Sequence, residues 1–450
     1  MLGRIPADGL AGGGAGASSK VAAHVWYATS LLCLLYMVAF IDRFVMSLLV
    51  GPIRSELMIS DTQMSLLLGT SFAAFYAVFG LPMARIADNG NRRNLIVAAV
   101  SVWSITTALS GLAQDFHVLL ACRIGVALGE AALTPAALSM IADLFPPQQR
   151  TRGASLYLAT GLIGAMGAFI LGGTVLRAIN GFSAIAVPGF GDLGPWRLVF
   201  LLVGAPGLIL AMLLAVTVRE PERHGESAPE PIAWRETLDF LRRSWRSYFF
   251  LFVGVALSQF TCHALIAWYP TVLIRQYGMT AQDTGWLFGG VGLIGCVSGG
   301  LIVPRLADAW ERSGRGGLMK VLVVATLISV AFAVAYPVAP SMSMSLGLVA
   351  VTLFLLIGVG VTPIVAVQTL APNRYRGQLS ACFMLINNLG GYATAPTIVA
   401  VLSDRVFHGP GSLGFGLATL SACTLPLATV MLLLGLRMVR PASVSQVQAA

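Results

Sequence analysis

Charge is what this sequence lacks. Asp, Glu, Lys and Arg together make up 10% of its 450 residues, against about 25% in soluble domains. A water-soluble globule needs a charged shell, so that class is excluded. A disordered chain, held open by charge and low hydrophobicity, is excluded as well. Cysteine is thin too. Cys33, Cys122, Cys262, Cys296, Cys382 and Cys423 all fall inside apolar runs. They show no metal-ligand spacing and no disulfide framework, and read as small buried hydrophobes. Neither a GxxxxGKS/T phosphate loop nor an HExxH helix occurs, and no long polar stretch could house a nucleotide-binding domain. A primary pump or a membrane enzyme therefore finds no support, and no cofactor or metal is implied. The net charge of +9 is scattered over short connections rather than gathered into a stripe, which argues against nucleic acid as a partner.

What is abundant is apolar: 57% of the chain. A span of about 20 residues crosses a bilayer as a helix. Apolar runs lie near 26–50, 62–83, 94–113, 117–142, 153–176, 196–217, 247–273, 284–303, 318–338, 345–370, 379–402 and 413–436. They predict an all-α membrane protein of twelve transmembrane helices. Assigning the N-terminus, every second connection and the C-terminus to one side puts 21 basic residues there and five on the other. The positive-inside rule then makes both termini cytoplasmic. The Gly/Ala/Ser-rich start lacks the apolar centre of a signal peptide. The organisation expected is a tail over 1–25, a six-helix lobe over 26–218, a cytoplasmic linker over 219–246, a second six-helix lobe over 247–436 and a tail over 437–450. Within the linker, Trp234, Leu238, Leu241 and Trp245 predict an amphipathic helix lying on the membrane surface.

The two halves repeat. At an offset of 220, Leu67, Gly69, Gly80, Arg85, Ala87, Asp88 and Arg92 meet Leu287, Gly289, Gly300, Arg305, Ala307, Asp308 and Arg312. Parallel repeats of six spans are the construction of two-lobed secondary transporters, with the substrate between the lobes near the midplane. Four ionisable groups lie deep in spans: Asp42 and Arg43 in the first, Arg123 and Glu130 in the fourth. Each costs about 2.5–3.5 kcal/mol at a helix centre unless paired or facing water. Arg123 and Glu130 share a helix face but stand about 10.5 Å apart along it, so each needs another partner. At the repeat offsets, 220 for the first span and 228 for the fourth, where Thr134-Pro135 meets Thr362-Pro363, the same positions hold Cys262, His263, Val351 and Gly358. The charge is confined to the first half, which favours function over a staple required by the fold.

The segment ARIADNGNRR at 84–93 and its counterpart PRLADAWERS at 304–313 resemble the loop signature of the major facilitator superfamily, with Asp88 and the distal pair Arg92-Arg93 retained. YMVAFIDRFVMSLLVGPI in the first span and RIGVALGEAALTPAALSMIADLFPPQQRTRG across the fourth resemble bacterial Spinster-like transporters. Eukaryotic Spinster proteins export sphingosine 1-phosphate or lysophospholipids. The resemblance implies two pseudo-symmetric lobes, alternating access, and a cavity lined by the first and fourth spans of each half. It implies a latch between lobes at Asp88, Arg92 and Asp308. Proton coupling is expected at Glu130, with Asp42 second. Arg43 and Arg123 would hold the anionic head of a substrate or reset the carboxylates, all reached by a solvent pathway.

His263, Trp268, Tyr269, Asn387 and Asn388 are candidate cavity groups whose default reading is packing. Asp143 reads as a solvated cap at the inner end of the fourth span. Gly161, Gly164, Gly167, Gly172 and Gly173 allow close helix approach in the fifth. The expected partners are an amphipathic lysolipid-like or sphingolipid-like substrate, protons and membrane lipids. The expected setting is a bacterial inner membrane, with the protein a monomer. The rival reading is a proton symporter for small organic anions of the same superfamily.

Overall fold

A computed structural model of the chain describes residues 22–179, 185–187, 191–223, 236, 239, 242, 245–313, 317–370, 379, 382–383, 386–409 and 411–438. Eleven helices among the described residues are long and apolar enough to cross a membrane. In the first half these include α1 (Ala23–Val45), α3 (Asp61–Asn89), α4 (Arg92–Ser110), α5 (Phe116–Leu144), α6 (Arg150–Ile179) and α7 (Pro195–Thr217). The short α2 (Val50–Leu57) joins α1 to α3. The second half holds α8 (Trp245–Tyr277), α9 (Ala281–Arg312), α10 (Gly317–Ala335), α11 (Met342–Leu370), α12 (Ala395–Arg405) and α13 (Ser412–Met438). The twelfth expected span, 379–402, lies partly outside the described residues; its described part includes a π-helical stretch Asn388–Thr394 running into α12.

Helix ends follow local chemistry. Ser60 caps α3 through a capping box with Gln63, and Thr280 caps α9 by accepting from Asp283 N–H. The caps are themselves 220 residues apart, so the repeat extends to the residues that start each helix. At the other end α3 and α9 run on past their apolar cores, and the segment 84–89, expected as a connection, is helical. No proline or glycine interrupts 84–89, and the helix continues to Asn89, where Gly90 ends it. Between α6 and α7 a two-stranded antiparallel hairpin, β1 (Ile185–Val187) and β2 (Gly191–Leu193), departs from the all-helical expectation. The predicted amphipathic linker helix falls mostly outside the described residues. Glu236, Asp239 and Arg242 are helical and exposed. Of the cysteines, four are buried; Cys382 is half-buried, and Cys423, expected to be buried, is exposed on the helix surface.

The lobes meet tightly where α6 crosses α9. A Cβ at Gly285 would stand 2.4 Å from the Phe169 carbonyl oxygen and 2.9 Å from Gly173 Cα. Phe169 and Phe288 stack edge to face beside the crossing, 4.8 Å between ring centres. Gly167, expected to serve close approach like its neighbours, faces open space instead. Gly285→Val is expected to cost about 1–3 kcal/mol of overpacking. The unfolding midpoint of the detergent-solubilised protein should fall, and an unchanged midpoint would show that the crossing adapts.

Candidate transport site

Asp42 and Arg43 are consecutive on α1, so their side chains leave it about 100° apart. That divergence splits the four charges into two crossed pairs. Arg43 Nη2 donates to Glu130 Oε2 on α5. Asp42 turns toward α4 and accepts from the Thr107 hydroxyl. Arg123 Nη1 stands 3.7 Å from Asp42 Oδ1, within ion-pair range but beyond hydrogen-bond reach. Gly129 sets this geometry: a Cβ there would meet the Ala99 carbonyl at 2.6 Å, so α5 lies against α4 with Glu130 beside the contact.

The cluster is incompletely satisfied. Asp42 Oδ1, Glu130 Oε1, Arg43 Nε and all three Arg123 guanidinium nitrogens are buried without a hydrogen-bond partner. Buried polar groups are nearly always bonded, so six unpaired atoms in one cluster stand out. Two carboxylates and two guanidiniums with spare donors and acceptors can exchange partners through small side-chain movements.

All four groups were expected on a solvent pathway. The structure corrects that for three of them: Asp42, Glu130 and Arg123 are 1%, 2% and 0% exposed. Only Arg43 keeps accessible surface, its side chain 16% exposed. The cause is an aromatic lid. The Arg43 guanidinium lies over Phe72 at 4.2 Å and Phe40 at 4.9 Å, with Tyr76 at 5.6 Å and Tyr392 at 5.9 Å. Phe72 also stands 5.9 Å from Arg123. The rings stabilise the cation electrostatically while covering the ion pair beneath. Tyr392 is the second lobe's contribution, and it holds His263 edge to face at 5.4 Å.

His263 is half-buried, with Nδ1 2.8 Å from the Gln259 carbonyl. Trp268 and Tyr269 are wholly buried, contrary to a cavity role. The Trp268 indole donates to the Pro396 carbonyl at 2.8 Å, and the Tyr269 hydroxyl pairs with Ser345 at 2.7 Å. Asn387 is half-buried with Oδ1 unpartnered, and the Asn388 side chain lies outside the described residues.

The expected latch is not assembled in this conformation. The Asp88 and Asp308 carboxylates are exposed, and among the described residues neither takes a partner from the other lobe. Arg223 instead caps the end of α3, donating to the carbonyls of Ala87, Asp88 and Gly90. Arg92 is turned into its own lobe, 1% exposed, and ion-pairs with Asp143 and with Glu220. It also donates to the Ser139 hydroxyl at 3.0 Å. Asp143 is thus a half-buried ion-pair partner, not a solvated cap, because Arg92 at the start of α4 points back across α5. Arg92→Met is expected to cost about 1–3 kcal/mol, since it leaves two half-buried carboxylates without their cation, with water screening part of the loss. The folded fraction on fluorescence-detected size exclusion should fall accordingly.

A second cluster was not anticipated. At the end opposite Asp88 and Asp308, Arg275 of α8 grips Asp61 of α3 through two hydrogen bonds of 2.8 and 2.9 Å. Asp404 of α12 accepts from the Thr62 backbone N–H at 2.8 Å and from its hydroxyl at 2.7 Å. Below them Thr70 donates to the Ala393 carbonyl at 2.5 Å, where two π-helical stretches, Leu66–Thr70 and Asn388–Thr394, face each other. π-bulges mark functional sites more often than chance. The lobes are therefore sealed at this end, here termed the closed end. A signal did exist: Asp61 follows the capping Ser60, and Arg275 is one of only five basic residues on its side.

Residues 32–395 match the Major Facilitator Superfamily. The chain belongs to that superfamily. An MFS-type efflux pump of Mycolicibacterium smegmatis is 31% identical over 404 residues, 88% of this chain and 89% of that one. A probable L-galactonate transporter of Escherichia coli K12 is 26% identical over 78% of this chain and 76% of its own. A bacterial homologue of the human lysosomal transporter Spinster, solved inward-facing and unoccupied, superposes with a TM-score of 0.79 at 25% identity, covering 94% of this chain and 98% of that one. This major facilitator protein is thus a multi-pass membrane transporter, similar in structure to a bacterial Spinster homologue, and not an enzyme.

Proposed function

We propose that the protein is a proton-coupled secondary transporter that moves an amphipathic anion by alternating access. The observation that carries this reading is the lidded pair Arg43–Glu130. Arg43 is the one charge of the cluster with accessible surface, its side chain 16% exposed, and its carboxylate partner Glu130 is buried against it. An anionic substrate head that takes Arg43 displaces Glu130 from its cation, and a proton on Glu130 releases Arg43 to the substrate. Binding and protonation are thereby linked at one guanidinium. Phe40, Phe72, Tyr76 and Tyr392 give the same place an apolar surface, which suits a lysolipid-like or sphingolipid-like tail. Asp42 and Arg123, deeper in, would take the exchanged charge.

The excess of basic residues at the end holding both termini supports a cytoplasmic location for that end and an inward-facing conformation here. A bacterial inner membrane and a monomer complete the reading. A second reading, a proton-coupled carrier of small sugar acids, is favoured by the likeness to the L-galactonate transporter. Purified protein in liposomes with an imposed pH gradient, offered lysolipids and sugar acids in parallel, separates the two. Uptake of either class that ignores the gradient would overturn the coupling.

A further inference from the structure

The closed end carries a pocket of about 590 Å³ that the transport site does not use. Arg54 from the first lobe and Arg275 from the second both line it. Between them they have one carboxylate, Asp61, whose side chain is 4% exposed. Arg275 spends both terminal nitrogens on it. Arg54 approaches it only through Nε, at 3.2 Å, and turns the same Nε to the Ile59 carbonyl at 3.0 Å. Among the described residues the terminal nitrogens of Arg54 have no partner. Two guanidiniums against one carboxylate leave one positive charge uncompensated, and no other acidic side chain lines the pocket. The rest of the wall includes Ser55, Ser60 and Met58, the last 87% exposed.

We propose that this pocket binds an oxyanion, a carboxylate or phosphate, bridged between Arg54 and Arg275. A guanidinium fork matches two oxygens of either group. Because the two arginines belong to different lobes and face one pocket only when this end is closed, the bound anion stabilises the closed end. The linkage is required by thermodynamics: a ligand that contacts both lobes in one state draws the population toward that state. The same chemistry has two possible sources, a free anion or the phosphate of a lipid headgroup.

The full-length protein tests this in two arms. In detergent, inorganic phosphate is titrated calorimetrically. In nanodiscs, phosphatidylcholine alone is compared with phosphatidylcholine plus phosphatidylglycerol, reading the separation of spin labels at His117 and His408, exposed positions on the two lobes at the closed end. Wild-type protein is expected to bind phosphate or to show shorter label distances with phosphatidylglycerol. Arg54→Gln, at a side chain 34% exposed, should weaken the response about tenfold, the size of one lost charge-assisted hydrogen bond. The readout is the anion-dependent increment, so any loosening of the turn at Met58 that Arg54 braces is subtracted. A response to phosphate identifies a free anion, and a response to phosphatidylglycerol alone identifies a lipid. Silence in both arms, or an equal response from Arg54→Gln, overturns the site.

Discussion

Glu130→Gln protein in liposomes will equilibrate its substrate but will not concentrate it against a pH gradient. The substitution keeps the shape of the side chain and an acceptor oxygen for Arg43, and removes the ability to gain or lose a proton. Arg43 keeps its four rings, so the cation is not abandoned in lipid. A one-proton coupling turns each pH unit into about a tenfold concentration ratio; the variant should hold that ratio near one. Equilibrium binding should survive and lose its dependence on pH, because the carboxylate no longer competes with the substrate anion for the guanidinium. Asp42→Asn should fall less far, since Asp42 keeps its hydrogen bond to Thr107 and meets Arg123 only at 3.7 Å. The ratio of bound to free substrate in each variant, measured at two pH values, separates a binding defect from a coupling defect. Gradient-driven accumulation by Glu130→Gln at the wild-type level removes Glu130 from the mechanism.

The transport site was legible to the extent that lipid penalises charge. Asp42, Arg43, Arg123 and Glu130 stood out because a bilayer makes an unpaired charge expensive, and they do come together. Their pairing was not legible. Which carboxylate meets which guanidinium depends on how α1 and α5 are turned toward each other, and the rotation of α5 is set by close contacts with α4 such as Gly129 on Ala99, which hydropathy cannot register. Nor was their seclusion legible, because one ring of the lid, Tyr392, comes from the other end of the chain. Apolar runs located the eleven long helices because length and composition decide spanning. The same measure is blind to the π-helical stretches at Leu66–Thr70 and Asn388–Thr394, where only the hydrogen-bond register changes. Asp61 and Arg275 raised no alarm because they sit at helix ends, where a charge costs little and reads as a cap.

That inconspicuous pair supports the second large effect. Asp61→Asn is expected to open the closed end. The wild-type carboxylate accepts both terminal nitrogens of Arg275 and lies 3.2 Å from Arg54; an amide loses the charge and one of its two acceptors. Asp61 is nearly buried whereas Arg275 is 24% exposed, so water screens part of the loss. A coupling of about 1–3 kcal/mol, or roughly 5–150-fold in the balance between conformations, is the reasonable expectation. Spin labels at His117 and His408, in a background free of the native cysteines, should show a longer distance population in Asp61→Asn and in Arg275→Gln. Exchanging the pair, Asp61→Arg with Arg275→Asp, tests whether the bridge or the residues matter. Restoration of the short distance assigns closure to the interlobe bond itself. The Thr62–Asp404 bonds and the Gly173–Gly285 crossing lie in the same seam and are untouched by all three variants. Unchanged distances throughout would therefore mean that backbone fit and helix packing close this end unaided, with the salt bridge merely riding on a seam already shut.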